Sequence, residues 1–238
     1  MDPRQPPFNR RVSLTREMFN LEVNPYVKLL KEDFAQWAFD EEKSQTFKGK
    51  WRELAFAGAS VDKPMDLEIG TGNGYHFEKL ASDQEGKRLT LGMELKYKPL
   101  IQTIRRTVRL GLKDARMFRY DASYLSDIFA IGELNNIFIH FPDPWPKIRH
   151  HKNRLIQDEF LKETYELQRP GSFIEFKTDS LEYFEWAIEI FKRGPYKLTA
   201  ESRDLHNSEW KSLNFVTQFE SLFLSQGLKI NYAKLEKI

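Results

Sequence analysis

At 238 residues, 40% apolar and 30% charged, the chain can bury a substantial core and is too apolar for a disordered segment. Its net charge of +2 announces no polyanionic partner, so a nucleic-acid surface has to be read from where the cations cluster. The absence of cysteine excludes disulfides, thiolate metal sites and cysteine nucleophiles. No apolar run approaches the length of a membrane span or a secretory core, and a cytoplasmic location is expected.

Residues 1–16 carry three prolines with Arg4, Arg10, Arg11 and Arg16 and have little to bury. Residues 1–35 therefore read as a flexible basic segment leading into the fold, its tail either unstructured or an RNA-contacting arm. Residues 36–238 read as a single domain. Leu29, Leu30, Phe34, Trp37, Phe47 and Trp51 suggest a helix or two on the way in. Beyond Pro64, short apolar runs at 65–69, 89–95, 134–141 and 172–177 have the character of buried strands, with a weaker candidate at 115–120. Amphipathic stretches at 75–82, 97–110, 153–168 and 181–192 alternate with them. Such alternation implies βαβ units, a mainly parallel, doubly wound α/β sheet, and a ligand site beyond the carboxyl ends of its strands.

The first of those ends reads Asp66-Leu67-Glu68-Ile69-Gly70-Thr71-Gly72-Asn73-Gly74. Gly70, Gly72 and Gly74 permit a tight turn and close approach of a ligand to the backbone. Glu68 beside the turn suits the ammonium group of an amino-acid-like ligand, which a dinucleotide lacks. Glu94, 20 residues after Gly74, ends the second strand where an acid accepts ribose hydroxyls. A dinucleotide fingerprint has its third glycine one position later, so the spacing favours S-adenosylmethionine over NAD. The fold class expected is thus a class I S-adenosylmethionine-dependent methyltransferase, Rossmann-like. Asp121, after the third strand, suits either the adenine amino group or the N-cap of a following helix.

The fourth strand runs into Pro142-Asp143-Pro144-Trp145-Pro146. Three alternating prolines stiffen this loop and deny it regular structure, holding Asp143 over the sheet edge where the methyl donor should sit. Lys147, Arg149, Lys152 and Arg154 follow at once, with His150 and His151 between them. Alone such a run is a solvated helix start; beside a cofactor-side strand it matches a phosphate backbone. The two histidines lack metal-ligand spacing, so no metal is expected, and His76 and His206 read as surface or ordinary packing.

These motifs resemble the bacterial tRNA (guanine-N7-)-methyltransferases, which modify a guanine in the variable loop of tRNA. The resemblance rests on Leu67-Glu68-Ile69-Gly70 with Gly72 and Gly74, on Glu94, and on Pro142-Asp143-Pro144-Trp145 followed by Lys147, His150 and Lys152. It extends to Lys177-Thr178-Asp179 and to Thr217-Gln218-Phe219-Glu220, covering roughly residues 50–230. It implies that Glu68, Glu94, Asp121 and Asp143 line the cofactor site, with Asp143 as the catalytic residue. It implies that Lys147, Asp179, Thr217, Gln218, Phe219 and Glu220 bind the guanosine. Arg149, His150, His151, Lys152, Asn153 and Arg154 would touch RNA. Asn153 departs from the family, which has a second consecutive basic residue there. The partner implied is tRNA; no obligatory protein partner is evident, and a monomer is weakly preferred to a homodimer.

Guanine N7 has an exposed lone pair and needs no deprotonation, so alignment of acceptor, methyl carbon and sulfonium is the main task. No base triad is expected, and none is visible. Methylation of another RNA base, or a catalytically idle RNA-binding module on the same fold, are the rival readings.

Overall fold

The computed structural model describes residues 24–56 and 59–238. Its strands are β1 (Ala38–Phe39), β2 (Met65–Ile69), β3 (Leu89–Met93), β4 (Ala115–Phe118), β5 (Ile137–His140), β6 (Phe173–Thr178), β7 (Lys197–Ser202) and β8 (Asn231–Glu236). They form one sheet in the order β1-β4-β3-β2-β5-β6-β8-β7. All pairs from β1 through β6 are parallel, while β8 runs antiparallel between β6 and β7. Residues of β2 and β3 are buried at every position, as strands covered on both faces require.

Five longer helices follow strands: α1 (Tyr75–Gln84), α2 (Tyr97–Arg109), α3 (Asp158–Leu167), α4 (Leu181–Arg193) and α5 (Gln218–Ser225). The helix expected at 153–168 begins only at Asp158, because Ile148–Asn153 forms a separate 3-10 turn and Arg154 is extended. From β2 the chain winds outward to β3 and β4 on one side and, through β5, to β6 on the other. The reversal of order therefore falls between β2 and β5, where α/β sheets open a ligand crevice at the strand carboxyl ends.

The packed region starts earlier than residue 36. Short helices at Pro25–Lys28 and Leu29–Asp33 bury Val27 and Leu30 against a cluster containing Ile101 and Ile104 of α2. Residues 24–35, read as part of the lead-in segment, thus contribute two apolar side chains to this cluster. The basic tail at 1–16 lies outside the described residues. Fully buried Trp51 centres the other half of the core, with its ring 5.0 Å from Phe47 and 5.0 Å from Phe118 and its Nε1 donating to Ile128 O. No helix among the described residues is long and apolar enough to cross a membrane.

Gly74 fixes the approach of α1 to α2. Its φ is +83°, and a Cβ there would meet Thr103 Oγ1 at 2.6 Å and Thr103 Cα at 2.7 Å. Backbone strain and overpacking coincide, so Gly74→Ala is expected to lower the thermal midpoint by about 5 °C or more. Thermal unfolding followed by circular dichroism checks this; an unchanged midpoint contradicts it.

Candidate cofactor and nucleic-acid site

The glycine loop turns at the carboxyl end of β2, with Gly70, Gly72 and Gly74 all at positive φ. Gly70 and Thr71 both donate to Met93 O, which ties the loop to the end of β3. Glu94, the next residue, accepts from Gly72 N through Oε2 and from Lys96 N through Oε1. Each oxygen keeps acceptor capacity for a ligand hydroxyl. Asp121 accepts from Ser123 N and caps the turn Ala122–Asp127, yet it also lines the cavity. Capping and ligand contact are therefore compatible for this residue.

That cavity measures about 620 Å³ and is lined among others by Gly70, Glu94, Asp121, Asp143, Trp145 and Asn153. Its size is ordinary for a small-molecule site. Glu68 is not among the residues lining that cavity, whereas its neighbours Ile69 and Gly70 are. It is 2% exposed; His76 Nδ1 is 2.9 Å from its Oε2, and its Oε1 has no hydrogen-bond partner among the described residues. An open carboxylate oxygen, a glycine-lined approach and two further acids fit S-adenosylmethionine.

The proline loop is strained: Phe141 and Trp145 have φ of 53° and 44°, values unusual for large side chains. Arg154 holds it from below. It is 2% exposed, with Nε donating to Pro144 O at 2.9 Å, Nη2 donating to Glu182 Oε1 at 2.7 Å, and the guanidinium over the Tyr183 and Trp186 rings. The expected RNA contact at Arg154 is corrected accordingly, since the side chain is buried and its Nε and Nη2 are engaged inside the protein, while Nη1, also buried, has no partner among the described residues. His151 is half-buried against Trp186 and lies 3.3 Å from Glu182 Oε1, so it too faces inward. His150 is half-buried against Trp145. Asp143, Lys147, Arg149, Lys152 and Asn153 are exposed, with Asp143, Lys152 and Asn153 on the cavity wall.

The C-terminal stretch divides. Thr217 and Glu220 are buried and form a reciprocal capping box at the start of α5. Glu220 also accepts from Asn214 Nδ2 and lies 2.7 Å from His206 Nε2, so this carboxylate is engaged internally rather than turned to a substrate. Phe219 is half-exposed and leans on the glycine loop, 3.9 Å from where a Cβ on Gly72 would stand. Gln218 opens α5. Asp179 lines a different cleft, together with Ser208 and Asn231, and is not brought into the cofactor cavity.

A buried polar chain links these parts. His140 Nε2 is 2.8 Å from Glu175 Oε1, Lys177 Nζ is 3.6 Å from the same oxygen, and Lys177 donates to Asn214, which bonds Glu220. Sequence reading passed over His76, His140, Glu175, Asn214 and His206 as members of a site. Their partners lie on other elements, such as Glu175 on β6 for His140 on β5, and no local spacing announces them.

The family described as "Putative methyltransferase" matches residues 62–233. The "tRNA (guanine-N(7)-)-methyltransferase" of Bdellovibrio bacteriovorus is 49% identical over 209 residues, spanning 88% of this chain and 99% of that protein. The chain belongs to the tRNA (guanine-N7-)-methyltransferase family. The Bacillus subtilis protein of the same name is 33% identical over 80% of this chain and 86% of its own. Among solved structures, the 16S rRNA methyltransferase KamB superposes with a TM-score of 0.58 at 15% identity, covering 80% of this chain and 94% of that one. TrmN from Thermus thermophilus gives 0.53 at 19% identity, over 74% of this chain and 45% of that one. At such identities these two share the fold, the class I S-adenosylmethionine-dependent methyltransferase architecture. Among the described residues no cluster of three or more potential metal ligands exists.

In this member of the family the buried His140–Glu175 pair makes stability depend on pH. Burial, reinforced by Lys177, lowers His140 from 6.5 to about 3. Burial opposes ionisation of Glu175, but the His140 hydrogen bond and neighbouring positive charge lower it from 4.5 to about 2. Both folded values are depressed, so the unfolded chain takes up protons first and stability falls as pH drops below 6.5. The thermal midpoint should fall progressively from pH 6.5 towards 4.5, and His140→Asn should flatten that slope; a pH series of melting curves on both proteins checks this.

Arg154→Ala is expected to lower stability by about 2 kcal/mol, because it removes the buried guanidinium whose hydrogen bonds tie the proline loop to α4, and Arg154→Lys should not restore it. The slope of tRNA affinity against salt should be unchanged in Arg154→Ala. Denaturant unfolding and salt-titrated binding check the two halves, and a reduced slope contradicts the inward role.

Proposed function

We infer that this chain transfers the methyl group of S-adenosylmethionine to N7 of a guanine in tRNA. One observation carries the reading: the rigid loop bearing Asp143 shares a cavity with Glu94 and Asp121 at the sheet's switch point, while exposed Lys147, Arg149 and Lys152 follow it outward. A small-molecule enzyme has no use for that row of cations, whereas a phosphate backbone does. The family membership supports the same acceptor.

Glu68, Glu94 and Asp121 would hold the cofactor through its ammonium, ribose and adenine groups, which supplies an electrophilic methyl group. Asp143 is exposed on the cavity wall within a loop whose backbone is held by Arg154. A carboxylate in that position stabilises the positive charge that develops on the purine as N7 is alkylated. No proton leaves N7 before attack, so the residues need only orient the base and exclude water. Asp143 also suits the guanine N1–H and 2-amino donors, which adenine lacks in that arrangement. Glu220, expected as a base contact, instead shapes the start of α5 so that Phe219 lies over the glycine loop. Lys147, Arg149 and Lys152 would take phosphates.

Unmodified tRNA incubated with labelled methyl donor, then digested to nucleosides, should yield 7-methylguanosine. Appearance of 1-methylguanosine or a methyladenosine instead would overturn the acceptor while leaving methyl transfer intact. Asp143→Ala should lower turnover by about 100-fold or more while cofactor and tRNA still bind. Replacing Lys147 or Lys152 with Ala should each lower the salt slope of tRNA affinity by about one. Single-turnover kinetics and salt-titrated binding measure both.

A further inference from the structure

His76 is unaccounted for by the contacts expected of the family. It lies in the first turn of α1, two residues after Gly74, so the same turn that forms the glycine loop carries its ring back over β2. Its Nδ1 is 2.9 Å from Glu68 Oε2, with Glu68 buried at 3% exposure and His76 mostly shielded at 11%. Aromatic rings confine it: His140 at 4.2 Å, Phe138 at 5.8 Å and Phe215 at 6.3 Å between centroids. His140 is pinned in turn by Glu175, and burial keeps it uncharged, so it packs against His76 without repelling it.

The carboxylate of Glu68 has one oxygen engaged by His76 and the other without a partner among the described residues. The terminal torsion of a glutamate is broad, so an untethered carboxylate samples many orientations. A single fixed donor selects one of them. A carboxylate has only acceptors, so Nδ1 must carry the proton of this bond.

We propose that His76 is a positioning residue for the amino-acid end of the cofactor: by donating from Nδ1 to Glu68 Oε2 it presents Oε1 to the ammonium group. This requires Glu68 to be the ammonium acceptor. Its signature is selectivity between ligands, since groups bound through Glu94 and Asp121 are indifferent to His76. S-adenosylhomocysteine has the ammonium, whereas 5′-methylthioadenosine keeps the adenosine and lacks the amino-acid moiety.

Isothermal titration of the full chain with these two ligands tests the proposal. His76→Phe should weaken S-adenosylhomocysteine binding roughly tenfold, the loss of one hydrogen bond to a charged group, and leave 5′-methylthioadenosine within about twofold. His76→Asn, whose amide nitrogen can stand where Nδ1 stands, should recover most of the loss. His76→Gln, with its donor displaced, should not, and it serves if the phenylalanine variant fails to fold. Equal weakening of both ligands, or no weakening of either, overturns the proposal. Glu68→Gln is measured in parallel. If it loses S-adenosylhomocysteine selectively while the His76 variants do not, only the role of His76 falls. If it shows no selectivity, the assignment of Glu68 falls and His76 with it.

Discussion

A buried guanidinium beneath a strained loop sets the geometry on which the site depends. Arg154 is almost fully shielded from water, a costly position for a charge that its Nε and Nη2 hydrogen bonds offset, while Nη1 is left without a partner among the described residues. Its partners are a carbonyl of the proline loop, a carboxylate at the start of α4 and two aromatic faces. A planar fork can serve carbonyl, carboxylate and rings together, which a lysine ammonium cannot. Phe141 and Trp145 keep their left-handed backbone within this frame. Asp143 stands between them, and the following cations emerge on the outer surface because Arg154 closes the turn behind them.

The glycine loop and the polar interior behind the sheet's other strand ends are built by different means. On the donor side the backbone does most of the work: glycines at positive φ, two amides on Met93 O, and Glu94 bonded to Gly72. In the buried interior beyond β5 it is side chains, running from Glu175 through Lys177 and Asn214 to Glu220 and His206. His76 and His140 join the two, their rings in contact across the gap between α1 and β5. A polar interior of this kind is specific in geometry and sensitive to acid.

What could be read from the sequence follows from how locally each feature is encoded. The glycine loop, Glu94 and the proline loop are short contiguous signals at strand ends, and the alternation of apolar runs with amphipathic stretches yields the parallel sheet. Strand β1 is two residues long, β7 is half-exposed at most positions, and β8 carries Lys234 and Glu236 among its apolar residues, so none reads as a continuous apolar run. Arg154 reads as one more cation in a basic run, because nothing nearby reveals Glu182 or Trp186 28 and 32 positions onward. Glu220 likewise reads as a free acid, although its alternative partner Thr217 stands at the spacing of a capping box. Charge in sequence does not reveal which way a side chain turns.

The antiparallel strand β8 has a temporal meaning. It lies between β6 and β7 yet follows both in the chain, and α5 is threaded between β7 and β8. During synthesis the elements β2 to β4 that form the glycine loop, Glu94 and Asp121 leave the ribosome well before α5 and β8 can lock Phe219 and Glu220 into place. A nascent chain thus acquires the glycine loop and its neighbouring acids first and its antiparallel strand last. The sheet is complete only once β8 enters between β6 and β7.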